Sequence, residues 1–249
     1  MGGVLLRVGW ALVWCLAAGF GHAATFEEQL ATAIDSSDRS PAERARDANR
    51  KPLETLQFFG LREDMRVLEL VPGGGWYTKI LAPLLEEHGS LYVALGTTGV
   101  EELLKKAPYA HVKLVELDNT FDRQGRRLDL AVLDFEVRDV DLVLTFRNLH
   151  NFTEQGREVM NRASFQALKA GGHYGVVDHT LRHNAQDTAE SWRRMDPVRM
   201  IKEIQAVGFE LVDFSGLHYR PDDELRYEVG RKSVTGNTDR FTLLFRKPN

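Results

Sequence analysis

The sequence predicts an α/β fold: one domain on a mostly parallel seven-stranded sheet, with an antiparallel terminal strand and helices on both faces. Three observations carry this prediction. From Met65 onward, short apolar and β-branched runs recur that are too continuously hydrophobic for strands wetted on one face. Helical stretches separate them, several closed by glycine, as parallel crossovers require. The last two strands, "FELVDFS" and "RFTLLFRK", follow one another without an intervening helix, so the final pair runs antiparallel.

Residues 1–24 stand apart. Arg7 forms a positive n-region, "VGWALVWCLAAGF" an apolar core, and Gly21-His22-Ala23 supplies small residues at a cleavage site. This reads as a secretory signal peptide cut after Ala23 or Ala24. The apolar run is short for a membrane span, so no stable membrane anchor is expected after cleavage, and the mature chain is expected in the periplasm or secreted. Cys15 is the one cysteine among 249 residues, and it leaves with the signal. Disulfides, thiolate metal sites and a cysteine nucleophile are thereby excluded from the mature chain.

From Thr25 to Lys51 the chain is polar and helical, with Ser40 as N-cap, Pro41 at N1 and Glu43 at N3. Pro52 starts another helix, which Gly60 ends, so residues 25–60 read as a helical extension ahead of a domain at 61–249. Strand "RVLELV" leads through Gly73, Gly74 and Gly75 into a helix with Trp76, Ile80 and Leu84 on one stripe, ending at Gly89. Strand "SLYVAL", helix "GVEELLKKA" and strand "VKLVEL" follow, then a polar connection from Asp122 to Arg127. "DLVLTF" is the next strand, Thr153 to Ala170 a helix, "HYGVVDH" a strand after Gly171-Gly172, and "DPVRMIKEIQAVG" the last helix.

Charge bounds the partners. With Arg7 removed, 31 basic side chains face 36 acidic ones, and no basic stretch gives a nucleic-acid footprint. A small-molecule ligand is the remaining expectation, and in an open α/β sheet it sits outside the carboxyl ends of the strands. After the first strand stand Glu69, Pro72 and the three glycines. Glycine removes the Cβ that would block a ligand, the following helix offers free N–H groups, and a carboxylate on the last strand turn can hold a cationic amino group.

"VLELVPGGGWYTKILAP" resembles motif I of class I S-adenosylmethionine-dependent methyltransferases, an acidic residue followed by G-x-G-x-G. Glu69 takes the acidic position, Gly73 and Gly75 the second and third glycines, with Gly74 between them, and Val71 stands where the first glycine is expected. Together with "RDANRKPLETLQFFGL", "DLVLTFRNLHNF", "LKAGG" and "TDRFTLLFRKP", it resembles a bacterial family of exported methyltransferases over nearly all of the mature chain. The resemblance implies a Rossmann-like methyltransferase domain, S-adenosylmethionine as cofactor and a small-molecule methyl acceptor. It also implies an acid at the end of the second strand for the ribose hydroxyls; "ALGTTG" has none, leaving Thr97, Thr98 or backbone in its place.

The resemblance further implies that Asp118, or alternatively Asp134, faces the adenine amine. "TFRNLHNF" puts Arg147, Asn148, His150 and Asn151 where this class holds the acceptor. His150 is the candidate general base and Asn148 a candidate catalytic partner; alternatively both satisfy loop backbone. Tyr77 covers the methionine end or touches the acceptor, and Trp76 reads as core. His179 and His183 suit a metal only if their segment is helical, so no metal site is assigned and His179 is expected to line the acceptor pocket. A nicotinamide oxidoreductase is disfavoured because its fingerprint wants glycine at position 78, which is Thr78. A protein that binds a small molecule or partner without methylating it remains the main alternative. The acceptor's chemistry and the oligomeric state are not set by the sequence.

Overall fold

The computed structural model describes residues 24–117 and 121–249. The proposed signal peptide and Asp118 lie outside the described residues. Among these, no helix is long and apolar enough to cross a membrane.

Four short helices open the described residues: α1 (Phe26–Ile34), α2 (Pro41–Arg44), α3 (Asp47–Arg50) and α4 (Pro52–Phe58). Capping boxes start the first two: Thr25 with Glu28, and Ser40 with Glu43. Then come β1 (Arg66–Leu70), α5 (Thr78–Leu85), β2 (Ser90–Ala94), α6 (Glu101–Leu104), β3 (Lys113–Leu114), β4 (Phe121–Gln124), β5 (Arg127–Leu130), β6 (Val140–Phe146) and α7 (Glu154–Ala167). β7 (Leu168–His179), α8 (Pro197–Ala206), β8 (Glu210–Ser215) and β9 (Arg240–Arg246) complete it.

The main sheet has seven strands in the order β3-β2-β1-β6-β7-β9-β8. All pairs are parallel except β7–β9 and β8–β9, the antiparallel pair the helix-free ending predicts. Sequence order reverses between β1 and β6, which opens a crevice outside their carboxyl ends. One face is covered by α1, α4 and α5 through Leu30, Leu56, Phe59, Ile80 and Leu81. The other is covered by α7 and α8 through Met160, Ala163, Met200 and Ile204.

Four elements differ from the sequence expectation. The run at 112–117 pairs only at Lys113 and Leu114. The polar connection at 122–127 is the turn of a separate hairpin, β4–β5, whose first strand is exposed at every position and carries no burial signal. The helix expected to reach Ala170 stops at Ala167, where Leu168 turns to extended backbone and β7 continues through Gly171-Gly172 with a register shift against Val140–Leu142. Helix "GVEELLKKA" shrinks to the single turn of α6 after a 3-10 turn at Thr97–Gly99.

His218 fastens the N-terminal helices to the sheet. Its Nε2 lies 2.9 Å from the Arg50 carbonyl, which can only accept, so the proton belongs on Nε2 and Nδ1 accepts from Thr242 Oγ1 at 2.7 Å. Burial and the nearby Arg240 push this imidazole down to about 4, against backbone acceptance at Arg50 that raises it. A histidine whose folded pKa is depressed stabilises the fold above its unfolded value and loses that contribution as pH falls from about 6.5 to about 4. Acid scans are expected to show a loss of about 3 kcal/mol over this window in the native chain and a flatter profile in His218→Gln. Identical acid slopes would remove His218 from this role.

Candidate functional site

Three strands end in left-handed turns at the crevice. Val71 after β1 has φ 51°, Leu95 after β2 φ 63°, and Arg147 after β6 φ 63°. A β-branched residue pays a steric penalty there, so Val71 keeps the backbone of a glycine turn without the glycine. Asn148 holds that turn: its Nδ2 donates to the carbonyls of Leu70 at 3.3 Å and Val71 at 3.2 Å. Asn148→Ala is therefore expected to cost roughly 1–3 kcal/mol by leaving these acceptors unmet. Asn148→Asp should cost more, because a carboxylate cannot donate; equal melting temperatures for the two variants would contradict this clamp.

Glu69, the penultimate residue of β1, is 2% exposed and accepts from Thr78 Oγ1 at 2.7 Å. Burial raises its carboxyl to about 7, against the opposing pull of the Thr78 hydroxyl and of Arg50. The wall it belongs to encloses about 260 Å³ and includes Val71, Gly73, Gly74, Trp76, Tyr77, Phe146 and Asn148. Gly73 and Gly74 face open space: a Cβ built on either meets nothing within 4 Å. Gly75 differs, because a Cβ there would lie 2.6 Å from Leu103 Cδ2 and 3.2 Å from Val100 Cγ1. Its bareness lets the turn pack on α6 rather than admit a ligand. Gly99 does the same from the other side, its missing Cβ sitting 2.3 Å from the Gly73 carbonyl oxygen.

Tyr77 is 4% exposed and stacks on Phe146 with centroids 3.5 Å apart. Burial pushes its phenol up to about 12, so it is a neutral wall and not a base. Trp76 belongs to the core, as the sequence predicts, and also lines the cavity. Its Nε1 donates to the Glu43 carbonyl, and Arg39 and Arg50 lie over its ring.

His150 is 3% exposed and lines neither this cavity nor its neighbour. Its Nδ1 donates to Asp178 Oδ1 at 2.6 Å and its N–H to Oδ2 at 3.1 Å, while His179 N–H reaches Oδ1 at 2.7 Å. Asp178 thus ties the end of β6 to the end of β7. His179 does reach a cavity, of about 530 Å³, beside Thr238 and Arg240. Burial holds its imidazole well below the ordinary histidine range, followed by the nearby His150 and arginines. His183 instead pairs with Asp196 on a non-helical segment, and no cluster of metal-ligating side chains occurs among the described residues. Asp134 pairs with Arg138 at the surface.

Sequence reasoning placed Arg147 at the acceptor end of the fourth long strand but missed the other cations. Arg46, just before α3, Arg50, at its end, and Arg147 are common to the walls of both cavities, and Arg240 lines the larger one. Only "RDANR" and Arg147, at a strand end, hinted at them.

No protein-family model matches the chain, and no curated protein matches it. Solved structures share its architecture. A S-adenosylmethionine-dependent methyltransferase from Aquifex aeolicus aligns with a TM-score of 0.56 at 15% identity, over 86% of this chain and 97% of its own. Human N-acetylserotonin methyltransferase, solved with S-adenosylmethionine, aligns at 0.54 and 13% identity over 90% of this chain and 57% of its own. The cyclase SpnF aligns at 0.53 and 15% identity, over 91% and 98%. The chain has the Rossmann-like fold of the class I S-adenosylmethionine-dependent methyltransferases.

Proposed function

We propose that the protein is a S-adenosylmethionine-dependent methyltransferase acting on a small-molecule acceptor. The observation that carries this reading is the buried Glu69 carboxylate beside the open Gly73-Gly74 turn, at the switch point of the shared fold. A cationic amino group is the partner such a carboxylate lacks, and the open turn leaves room for a ligand backbone against it. Guanidinium groups of Arg46, Arg50 and Arg147 in the same wall offer partners for a carboxylate. The residues present therefore fit the methionine end of the cofactor. At the end of β2 the ribose has no acid, and the hydroxyls of Thr97 and Thr98 or the Leu95–Gly96 backbone take that place.

When bound, the cofactor supplies an electrophilic methyl group on a sulfonium. The protein's part is to hold an acceptor at near-attack distance and keep water out. Tyr77 and Phe146 form a rigid aromatic wall for this, and Asn148 fixes the turn below it. His150 acts here as an anchor between β6 and β7. His150→Asn, which can still donate to Asp178, should keep activity; a loss of turnover with folding and binding intact would restore the base role.

Titration calorimetry with S-adenosylmethionine and S-adenosylhomocysteine tests the reading, and absence of binding to both would sink it. A second reading, a binding protein that methylates nothing, is favoured by the missing ribose acid and by the presence of a cyclase on the same fold. It predicts ligand binding without turnover. The sequence of residues 1–24 supports export. N-terminal sequencing of the exported chain should read from Ala24 or Thr25; an intact Met1 would contradict export by cleavage.

A further inference from the structure

Four guanidinium groups converge on the larger cavity with no carboxylate among its lining residues. Arg46, Arg50, Arg147 and Arg240 wall the space of about 530 Å³ with His179 and Thr238. Among the described residues none of the four forms an ion pair, whereas Arg193, a fifth on the rim, is paired with Glu228. The contrast with a third cavity, of about 390 Å³ between α7 and α8, is instructive. There Arg127 pairs with Asp187, Arg157 with Glu203, and Arg199 with both Glu154 and Glu203.

Two of the unpaired four are deeply buried, Arg50 at 4% and Arg240 at 6% exposure. Arg240 Nη1 donates to the Asn49 carbonyl at 2.7 Å, and its buried Nε finds no partner. Arg50 lies over the Trp76 ring, 4.2 Å from the centroid, which fixes its plane. Of the acids near the cluster, Asp178, beside Arg147, already accepts from His150 and His179, and Glu69, near Arg50, faces the smaller cavity and accepts from Thr78. Clustered, desolvated like charges are costly unless paired, and planar guanidinium forks match carboxylate and phosphate oxygens. The methyl donor's one carboxylate would satisfy part of this set, and Arg240 is absent from the smaller cavity's wall.

We propose that the larger cavity is an oxyanion-binding site and that the methyl acceptor is a small molecule carrying a carboxylate or phosphate group. The anion site stands on its own geometry; the ligand's role as methyl acceptor rests on the methyltransferase reading. Burial, with Arg147 and Arg46 next, pushes the Arg50 guanidinium down to about 8, and burial with Arg147 brings Arg240 to about 10. Both directions agree with a positive site that an anion relieves.

The test is calorimetric titration of the purified chain with pyrophosphate and, separately, with citrate at low ionic strength. Saturable binding of either supports the site, and the one that binds tells a phosphate-bearing from a carboxylate-bearing ligand. Affinity should fall about tenfold or more in Arg46→Gln and in Arg240→Gln, the low end of what a lost charge-assisted hydrogen bond costs. Arg199→Gln, in the paired cavity, should leave it unchanged. Should Arg240→Gln unfold, the exposed Arg46, which lines both cavities, is read with saturating S-adenosylhomocysteine present: a loss of about tenfold there supports the larger cavity, and competition between the two ligands overturns it. Failure of both ions to bind, or equal affinity in Arg46→Gln and the unaltered chain, overturns the proposal. S-adenosylhomocysteine titrated in parallel separates the two readings. Its binding without either oxyanion leaves the methyltransferase reading and removes this one; oxyanion binding alone does the reverse.

Discussion

Glu69→Gln is expected to raise the melting temperature above pH 7 while removing binding of S-adenosylmethionine. The carboxyl is 2% exposed, and burial raises it to about 7 from an ordinary 4.5. A folded value above the unfolded one means that the fold favours the protonated form. Stability is therefore intact below about 4.5 and is lost as pH rises towards about 7, by about 3 kcal/mol in all. Glutamine keeps the acceptor for Thr78 and cannot ionise, so the variant should gain about 6–12 °C at pH 8 and nothing at pH 4. For the native chain the same linkage predicts that affinity for S-adenosylmethionine rises with pH up to about 7, because a bound ammonium would favour the ionised carboxylate. A Glu69→Gln chain that binds normally, or whose melting curve matches the native one at pH 8, would contradict this account of the site.

The second large effect separates two adjacent glycines. Gly75→Val places a β-branched side chain at φ 79° and against Leu103 and Val100. Backbone strain and overpacking each cost roughly 1–3 kcal/mol, so the chain should lose about 2–6 kcal/mol and bind nothing at temperatures where it is partly unfolded. Gly74→Ala has no such conflict, since its backbone is outside the left-handed region and its Cβ meets only open space in the cavity wall. It should melt within a degree or two of the native chain yet bind the cofactor at least about tenfold more weakly. Equal binding in Gly74→Ala and the native chain would show that this turn does not touch the ligand.

These two glycines also show how far the sequence could be read. Position relative to the strand ends was enough to bring Glu69, Gly73, Gly74, Tyr77 and Asn148 to one cavity wall. Roles within that wall depended on side-chain direction, which spacing does not encode. Gly75 turns to α6, Asn148 clamps β1, and His150 is spent on Asp178 behind the wall. Val71 carries the opposite lesson, because a missing glycine in the motif left the left-handed turn in place, held by Asn148.

The seven-stranded sheet was legible because continuous apolar runs report burial on both faces. The hairpin β4–β5 was not, because Phe121–Gln124 is exposed throughout. The arginine cluster was the least legible feature. Arg240 and the Asn49 carbonyl it binds are 191 positions apart, and no local pattern announces that their neighbours share a cavity.

Whether the Glu69 crevice is a cofactor site is decided by calorimetric titration of the purified chain with S-adenosylhomocysteine at pH 7.5, beside Glu69→Gln and Gly74→Ala. One saturable site is expected in the native chain, with sharply weakened binding in both folded variants. No binding to the native chain, or binding that neither substitution changes, would contradict it.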